Sequence, residues 1–216
     1  MIDLHTHTFF SDGVLIPSEL VCRAAAAGYK TICLSDHVDF SNIDITIPRM
    51  VKVSKILTRE YKIKVIPGAE LTYVPPRMIA QAFRMAKNLG AEIVLVHGET
   101  TVEPVPKGTN RAAIEAKVDI LAHPGNISKD DVKLARANKV CLEITTRRGH
   151  NKTNKHVASL AHIYGAKLVF NTDTHLPEDL MNETLVKNTL TAAHLTAKDF
   201  KTMQENAYNL VKLKEI

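Results

Sequence analysis

Short apolar runs alternate with longer segments of helical periodicity along this chain. Seven runs rich in β-branched residues occupy positions 2–4, 31–34, 63–66, 92–96, 119–122, 140–144 and 167–170. Between them, apolar positions recur at spacings of three and four, as at Ile79, Ala82 and Ala86, which is one face of a helix. This alternation predicts βα units around a parallel sheet, and therefore an α/β fold.

Proline and glycine mark the ends of the predicted helices. Pro17 can begin the first helix, while Gly28, Gly90 and Gly165 follow helical segments at positions that suit a left-handed cap. After the seventh run, only helical segments follow. Because we find no low-complexity tract, repeat or linker, we predict that residues 1–216 form one domain.

Composition narrows the class of protein. The 216 residues are 45% hydrophobic and 24% charged, which is typical of a globular domain that can bury a core of its own. Three widely spaced cysteines, Cys22, Cys33 and Cys141, supply neither a disulfide framework nor a Cys-x-x-Cys metal site. We interpret them as small core residues and expect a reducing compartment.

Charge and hydropathy restrict the expected cellular location and binding partners of the protein. The sequence has neither the start of a signal peptide nor an apolar run of roughly 18 residues, so we expect a cytoplasmic protein that does not enter a membrane. The net charge of +5 is spread over interleaved acids and bases, which weakly favours anionic ligands. An aromatic content of 5% without tryptophan argues against a long nucleic-acid track.

Side chains with metal-binding chemistry follow almost every predicted strand. Six histidines and three carboxylates share this placement: His5, His7, Asp12, His37, Glu70, His97, His123, Asp173 and His175. One histidine at a strand end is more often structural, but repetition at successive strands predicts a cluster. The carboxyl ends of barrel strands converge on one rim, so these groups are expected to meet there.

The His5-x-His7 pair indicates how the cluster begins. Strand residues two apart share a face, so both imidazoles can bind one ion. Imidazole and carboxylate without thiolate suit zinc, manganese or iron.

The order and spacing of these residues resemble the PHP family, the polymerase and histidinol phosphatase family of metal-dependent phosphoesterases. The motifs that carry the resemblance are His5-x-His7 with Asp12-Gly13, Asp36-His37, Glu70, His97-Gly98, His123-Pro124 and Asp173-x-His175. The resemblance covers residues 2 to 177. It implies a single PHP-type domain over residues 1–216, a distorted seven-stranded (β/α)7 TIM-like barrel with its metal site at the carboxyl-terminal rim.

The resemblance also implies two or three divalent ions, zinc, manganese or iron, that divide the nine ligands. The implied sets are His5, His7, Glu70 and Asp173 for the first ion, the bridging Glu70 with His97 and His123 for the second, and Asp12, His37 and His175 for the third. Some family members have His where this chain has Asp12, a difference that can alter the metal preference of the third site.

We expect this centre to hydrolyse phosphate esters. Its ions would outweigh the charge of the three carboxylate ligands and so attract a phosphate. A hydroxide bridging two ions would attack phosphorus in line. The residues that would hold it are Glu70, His97, His123 and Asp173. The leading hypothesis is a small-molecule phosphomonoesterase similar to histidinol phosphatase.

Other polar residues are candidates for supporting roles. Arg147 and Arg148 follow the sixth run and could grip a phosphate, with a solvated loop charge as the alternative. His150 could protonate a leaving group, although a water-facing ring is the favoured interpretation. Carboxylates that could orient metal-bound imidazoles are Asp36, Glu99 and Glu143.

Three other functions stay open. The first is a nucleotide or nucleic-acid-end phosphoesterase of exonuclease type, and the second is a metal-binding accessory module without catalysis. The third, an amidohydrolase-type barrel, fits less well because its pattern expects a bridging lysine where this chain has Glu70. The expected partner is a phosphorylated small molecule or a nucleotide, and no sequence feature indicates an obligate protein partner.

Overall fold

Parallel strands alternate with helices throughout the structure, a computed structural model that describes residues 1–212. The strands are β1 (Ile2–Asp3), β2 (Thr31–Leu34), β3 (His37–Val38), β4 (Lys64–Leu71), β5 (Ile93–His97), β6 (Ile120–Ala122), β7 (Cys141–Thr145) and β8 (Leu168–Asn171). The helices are α1 (Pro17–Ala26), α2 (Ile43–Tyr61), α3 (Ile79–Asn88), α4 (Thr109–Glu115), α5 (Lys129–Asn138), α6 (Asn154–Tyr164), α7 (Glu183–Ala192) and α8 (Ala197–Lys212). The predicted α/β class is confirmed.

The strands form a nearly closed barrel. Neighbours in the sheet run β1-β2-β4-β5-β6-β7-β8, and every pairing is parallel. The two ends of the sheet meet just beyond β1 and β8, where the amide of Asp173 donates to the carbonyl of His5 at 2.9 Å and that of His7 donates to Thr174 at 2.8 Å. The predicted seven-stranded barrel is confirmed.

The third predicted run differs from the observed strand in length and pairing. β4 continues through Pro67 and Gly68 to Leu71, because it changes neighbours at this point. Its first half pairs with β2 as far as Pro67, and its second half pairs with β5 from Gly68 onward. The sequence pattern missed β3, a two-residue strand that pairs with β4 beyond β2 and brings His37 opposite Glu70.

The barrel interior is apolar and is closed at one end by the last helix. Leu4, Ile66 and Val169 form part of a buried cluster that also includes Ala207 and Val211 of α8. Gln204 of α8 anchors this helix on the backbone of Ile2, accepting from its amide at 2.7 Å and donating to its carbonyl at 2.9 Å. Thus α8 seals the amino-terminal end of the barrel.

The cysteine prediction is correct for two residues and wrong for the third. Cys33 and Cys141 are buried in the barrel interior. Cys22 is exposed, because α1 turns Leu20, Val21 and Ala24 toward the core and this residue away from it. No helix among residues 1–212 is long and apolar enough to cross a bilayer.

Helix boundaries follow the predicted punctuation. Pro17 is the first residue of α1, and Gly28, Gly90 and Gly165 all have positive φ, at 81°, 100° and 72°. Another glycine allows two loops of the rim to approach each other closely. Gly125, with φ of 60°, brings the loop after β6 so close to the loop after β5 that an added Cβ would lie 1.9 Å from the carbonyl oxygen of Glu99.

We predict that Gly125→Ala destabilises the protein much more than Gly28→Ala. Both residues have positive φ, but a Cβ at Gly28 meets no atom within 4 Å. We expect Gly28→Ala to lower the free energy of unfolding by about 1 kcal/mol and Gly125→Ala by about 3 kcal/mol, measured by urea denaturation. Equal losses of unfolding free energy would show that the close approach of the two loops does not destabilise Gly125→Ala.

Candidate metal centre

The nine predicted ligands all lie at the carboxyl-terminal rim of the barrel. Short backbone segments just after β1, β6 and β8 carry five of them, β3, β4 and β5 carry His37, Glu70 and His97 directly, and Asp12 lies farther along the loop after β1. Their imidazole and carboxylate groups fall into four overlapping clusters, which together include all nine residues. Seven of the nine are buried, while His37 is half-buried and Asp12 is exposed. The predicted convergence on one rim is therefore present in the structure.

The innermost cluster has the spacing of ligands around one ion. His5 Nε2 lies 3.3 Å from Glu70 Oε2 and 3.6 Å from Asp173 Oδ1. His7 Nε2 lies 3.6 Å and 3.1 Å from the same two oxygens. Four ligands at bonds of about 2.0–2.1 Å around a tetrahedral ion are separated by about 3.4 Å, which matches these distances. Glu70 and Asp173 thus both lie at ligand spacing from His5 and His7, while the compact groups are His5 with His7 and Glu70, and His5 with His123 and Asp173.

Glu70 also faces a second cluster. Its other oxygen, Oε1, lies 3.5 Å from His123 Nε2, and His97 completes a set whose ligand atoms are within 4.8 Å of one another. The rings of His97 and His123 meet edge to face with centroids 4.4 Å apart. Because the two oxygens of Glu70 face different clusters, this carboxylate is placed to bridge two ions.

The third cluster lies nearer the solvent. Asp12 Oδ1 is 3.1 Å from His175 Nε2 and 3.5 Å from His37 Nε2. The Asp12 side chain is 57% exposed, whereas those of His5 and Glu70 are fully buried. A carboxylate in water gains less by binding a cation than a buried one does, so this set is expected to be the weakest of the three.

Buried polar atoms without hydrogen-bond partners test whether the centre fits metal ions. Eight such atoms belong to six of the predicted ligands among residues 1–212: His5 Nε2, His7 Nδ1 and Nε2, Glu70 Oε1 and Oε2, His97 Nδ1, His123 Nδ1 and Asp173 Oδ1. Leaving a buried polar atom unpaired costs free energy, and such atoms are rare in folded proteins. Buried imidazole nitrogens and carboxylate oxygens of this kind are metal ligands, so the residues present fit divalent cations.

Electrostatics of the centre keep Glu70 ionised and His7 neutral, the states in which these groups bind a metal. Burial alone would raise the pKa of Glu70, but His5 and His37 hold it well below its usual range. Burial, together with the charge of His37, lowers the pKa of His7 to about 3, so this imidazole is neutral and can act as a ligand. At His37, burial is outweighed by Glu70 and Asp12, which raise its pKa to about 10. A metal at His37 must therefore displace a proton.

Glu143 contacts the imidazole of one predicted ligand and the backbone of another. His5 Nδ1 lies 2.8 Å from Glu143 Oε1, and the amide of His123 donates to Oε2 at 3.0 Å. Asn171 donates to Glu143 at 2.8 Å and accepts from the amide of Leu4. This network turns His5 Nε2 toward Glu70 and Asp173. It fits the supporting role expected for a carboxylate behind a metal-bound imidazole.

Two other carboxylates considered for this role contact no ligand imidazole. Asp36 accepts from the amide of Thr8 at 2.7 Å and from the hydroxyl of Ser11 at 2.8 Å, and so holds the loop after β1. Glu99 accepts from the amides of Gly108 and Asn110, both at 3.0 Å, and so caps the start of α4. Both carboxylates shape loops of the rim.

The centre opens into a cavity of about 540 Å³. Arg147 lines this cavity, and its Nη1 is held 3.2 Å from Asp179 Oδ2. Arg148 is exposed and is not among the lining residues. The structure therefore separates the two arginines that the sequence could not distinguish.

His150 does not face water, contrary to the favoured interpretation. It is 7% exposed and lines the cavity. Its Nδ1 lies 2.8 Å from Thr100 Oγ1, and its ring lies 4.3 Å from that of His123 between centroids. Contact with a threonine fifty residues away turns the ring inward, which no local pattern could indicate.

Glu103 is a residue of the cavity that sequence reasoning missed. Its carboxylate lies 3.1 Å from His97 Nε2 and 3.3 Å from His150 Nε2, and it accepts from the hydroxyl of Tyr73 at 3.2 Å. Hydrogen bonds with His150 and His97 lower its pKa. The residue lies in the loop between β5 and α4, away from any strand end, so periodicity gave no signal. Tyr73 itself has φ of 53°, an uncommon value for a bulky residue.

We predict that Glu143→Gln weakens metal binding by 10- to 100-fold. An amide retains one acceptor oxygen, whereas Glu143 receives three donors, so His5 would lose its orientation. Glu99→Gln is the matched control, because that carboxylate caps a helix and touches no ligand. Competition with a chromophoric chelator measures both affinities. Unchanged metal affinity in Glu143→Gln would show that Glu143 does not orient the ligands.

Comparison with known families gives one match over nearly the whole chain. The PHP domain model matches residues 3–212. An uncharacterized protein of Methanocaldococcus jannaschii is 48% identical over 201 residues, which is 92% of each chain. The DNA polymerase/3'-5' exonuclease PolX of Bacillus subtilis is 24% identical over 99% of this chain, but this chain spans only 40% of its length.

Solved structures share the fold at low sequence identity. A chain in the cryo-EM structure of archaeal ribonuclease P with mature tRNA superposes with a TM-score of 0.75 at 18% identity, covering 100% of this chain and 91% of that one. A proposed histidinol phosphatase of Listeria monocytogenes gives a TM-score of 0.63 at 13% identity, covering 86% and 99%. These likenesses establish the barrel architecture.

Proposed function

Because the chain belongs to the PHP domain family of metal-dependent phosphoesterases, we propose that it hydrolyses small phosphomonoesters in the cavity above its nine-ligand centre. The observation that carries this proposal is the set of buried ligand atoms without hydrogen-bond partners at the base of that cavity. Cations that satisfy these atoms would leave an excess of positive charge facing the cavity, which a phosphate would neutralise.

The ligands divide among two or three divalent ions, which we propose to be zinc, manganese or iron. The proposed sets are His5, His7, Glu70 and Asp173, then Glu70, His97 and His123, and finally Asp12, His37 and His175. When bound, such ions neutralise phosphate oxygens and lower the pKa of water so that it can attack phosphorus. The protein contributes the fixed positions of the ligands, with Glu70 shared between two of the sets.

Arg147 is the residue that we propose to orient the phosphate. Its guanidinium lines the cavity, and Asp179 restricts its position from behind. A planar guanidinium can donate two parallel hydrogen bonds to a phosphate, and donors to charged groups are the stronger ones. Arg147 would thereby align the ester with the metal centre.

His150 is placed to donate a proton to the leaving group. Its Nε2 faces Glu103, while Thr100 fixes its Nδ1. Because its ring lines the same cavity as Arg147, a protonated Nε2 could give its proton to the departing oxygen. Glu103 would hold that proton in place before the substrate enters.

Two features favour a small ester over a polymer. The cavity of about 540 Å³ matches the size of sites for small molecules. Exposed aromatic side chains at this rim are few, Phe9, Phe40 and Tyr73, so a long strand would find little stacking surface. The structural likeness to a proposed histidinol phosphatase agrees with this choice but concerns the fold.

A nucleotide or the end of a nucleic acid is the second candidate substrate. The PolX relative aligns with 99% of this chain, and its name includes a 3'-5' exonuclease activity. Phe10 and Tyr73 line the cavity and could stack on one base. A module that binds metal without catalysis is less consistent with a complete ligand set beside a lined cavity.

We predict that His97→Ala lowers kcat/KM for phosphate release by at least about 100-fold, because it removes one ligand of the bridged pair. The assay uses p-nitrophenyl phosphate and histidinol phosphate with protein loaded with Mn²⁺ or Zn²⁺. The matched control is His162→Ala, since His162 lies on α6 and pairs with Asp199 away from the cavity. Equal rates in wild type and His97→Ala would refute the metal mechanism.

The same preparation ranks the candidate substrates. Mononucleotides and a labelled single strand are assayed beside the two phosphomonoesters at equal concentration. A strand shortened from one end, with slow release from small esters, would favour the nucleic-acid-end alternative. Hydrolysis of a dipeptide or lactone without phosphate release would instead indicate amidohydrolase chemistry.

We predict that Arg147→Ala raises KM for phosphomonoesters by about 10- to 100-fold, because a hydrogen bond to a charged group is worth about 1.5–3 kcal/mol. Arg148→Ala is the matched control. It removes the same charge from an exposed position that does not line the cavity. Equal effects of the two substitutions on initial rates would mean that general charge, and not a cavity contact, attracts the substrate.

A further inference from the structure

The end of the barrel opposite the cavity carries a lysine on most helix-to-strand connections. In the described part of the chain, six connections lead from a helix into β2, β4, β5, β6, β7 or β8, and five of them have a lysine within three residues before the strand. We call these residues the lysine ring: Lys30, Lys62, Lys117, Lys139 and Lys167. All five are exposed. Parallel strands gather their amino ends at one end, so the five ammonium groups surround the same face.

The ion pairs of the described residues do not include the lysine ring. None of the five forms an ion pair with a carboxylate among residues 1–212. Two carboxylates near the ring in sequence pair with other cations. Glu60 pairs with Arg59 at 2.7 Å, and Asp119 pairs with Lys87 at 2.5 Å. The ring therefore projects a positive potential into solvent.

Backbone conformation makes three of these lysines unexpected. Lys62, Lys117 and Lys139 have φ of 53°, 59° and 62°, in the left-handed region that a Cβ disfavours. Glycine is the usual residue at such helix ends, as at Gly165 of this chain. A lysine also interacts favourably with the carboxyl end of a helix, which is the purely structural explanation for its presence.

We propose that the lysine ring binds the phosphate backbone of a nucleic-acid strand. Ammonium groups contact phosphates as point charges without reading bases, and such contacts dominate nonspecific nucleic-acid binding. Protein interfaces, by contrast, are depleted in lysine, which argues against a protein as the occupant. The ring and the cavity lie at opposite ends of the barrel, so this inference is independent of the proposed hydrolysis.

Fluorescence anisotropy with a labelled 2'-O-methyl oligouridylate tests the proposal on the metal-loaded, full-length protein. The main variant combines Lys62→Gly, Lys117→Gly and Lys139→Gly, since glycine suits the left-handed backbone and keeps the fold. We expect affinity to fall at least tenfold. The slope of log affinity against log salt should fall by about 2, because each phosphate contact on a single strand contributes about 0.7.

Two further combined variants test whether the strand is bound by the lysine ring or by the net positive charge of the protein. Lys62→Gln, Lys117→Gln and Lys139→Gln together remove the same charge and keep the Cβ, and should lose the same affinity. The control variant combines Lys107→Gln, Lys129→Gln and Lys155→Gln, three exposed lysines at the carboxyl-terminal end of the barrel. It should bind the strand as wild type does. Release of phosphate from p-nitrophenyl phosphate should be unchanged in the ring variants.

Three results would overturn the proposal. If the control variant lost as much affinity as the ring variants, the strand would be bound by net charge or by the cavity end. If the ring variants bound the strand with wild-type affinity, the lysines would only stabilise the carboxyl ends of their helices. If polyglutamate of equal length displaced the strand as well as unlabelled oligouridylate does, the surface would suit an acidic protein instead.

Discussion

The burial of ionisable groups at one end of the barrel is the constraint on which the centre depends. Glu70 and His5 are fully buried, yet both oxygens of Glu70 and one nitrogen of His5 have no hydrogen-bond partner among residues 1–212. An isolated buried charge is expensive, so this arrangement is stable only when opposite charges face one another at short distance. Imidazoles and carboxylates meet that condition in part, and cations placed between them would meet it fully.

The barrel places its buried charged groups at the carboxyl end and closes its apolar interior at the amino end. At the carboxyl end, the change of partners along β4 puts Glu70 beside both His37 and the neighbouring strand β5. Behind the ligands, Glu143 and Asn171 tie β7 and β8 to the start of the chain. At the amino end, α8 closes the apolar interior, and the exposed lysine ring lies on the connections around it. Either end can therefore change its surface residues with little effect on the other.

Family membership accounts for the centre but not for its specificity. Relatives and structural neighbours with different names share this barrel, which is expected when function depends on loops grafted onto a common fold. In this chain, the loops after β4, β5 and β7 supply Tyr73, Glu103 and Arg147 to the cavity wall. These three side chains therefore belong to the cavity wall and not to the nine predicted metal ligands.

The sequence by itself determined the barrel class and the nine polar residues that the rim brings together, because strand periodicity and the polar residues near most strand ends are local properties. Only the tertiary structure decided which loop residues face the cavity. His150 turns inward through Thr100, Arg147 through Asp179, and Glu103 reaches His150 from an irregular loop. Likewise β3 exists because β4 offers it a partner, and Cys22 is exposed because α1 packs by its other face. Contacts between residues distant in sequence set each of these features, so no local pattern could have revealed them.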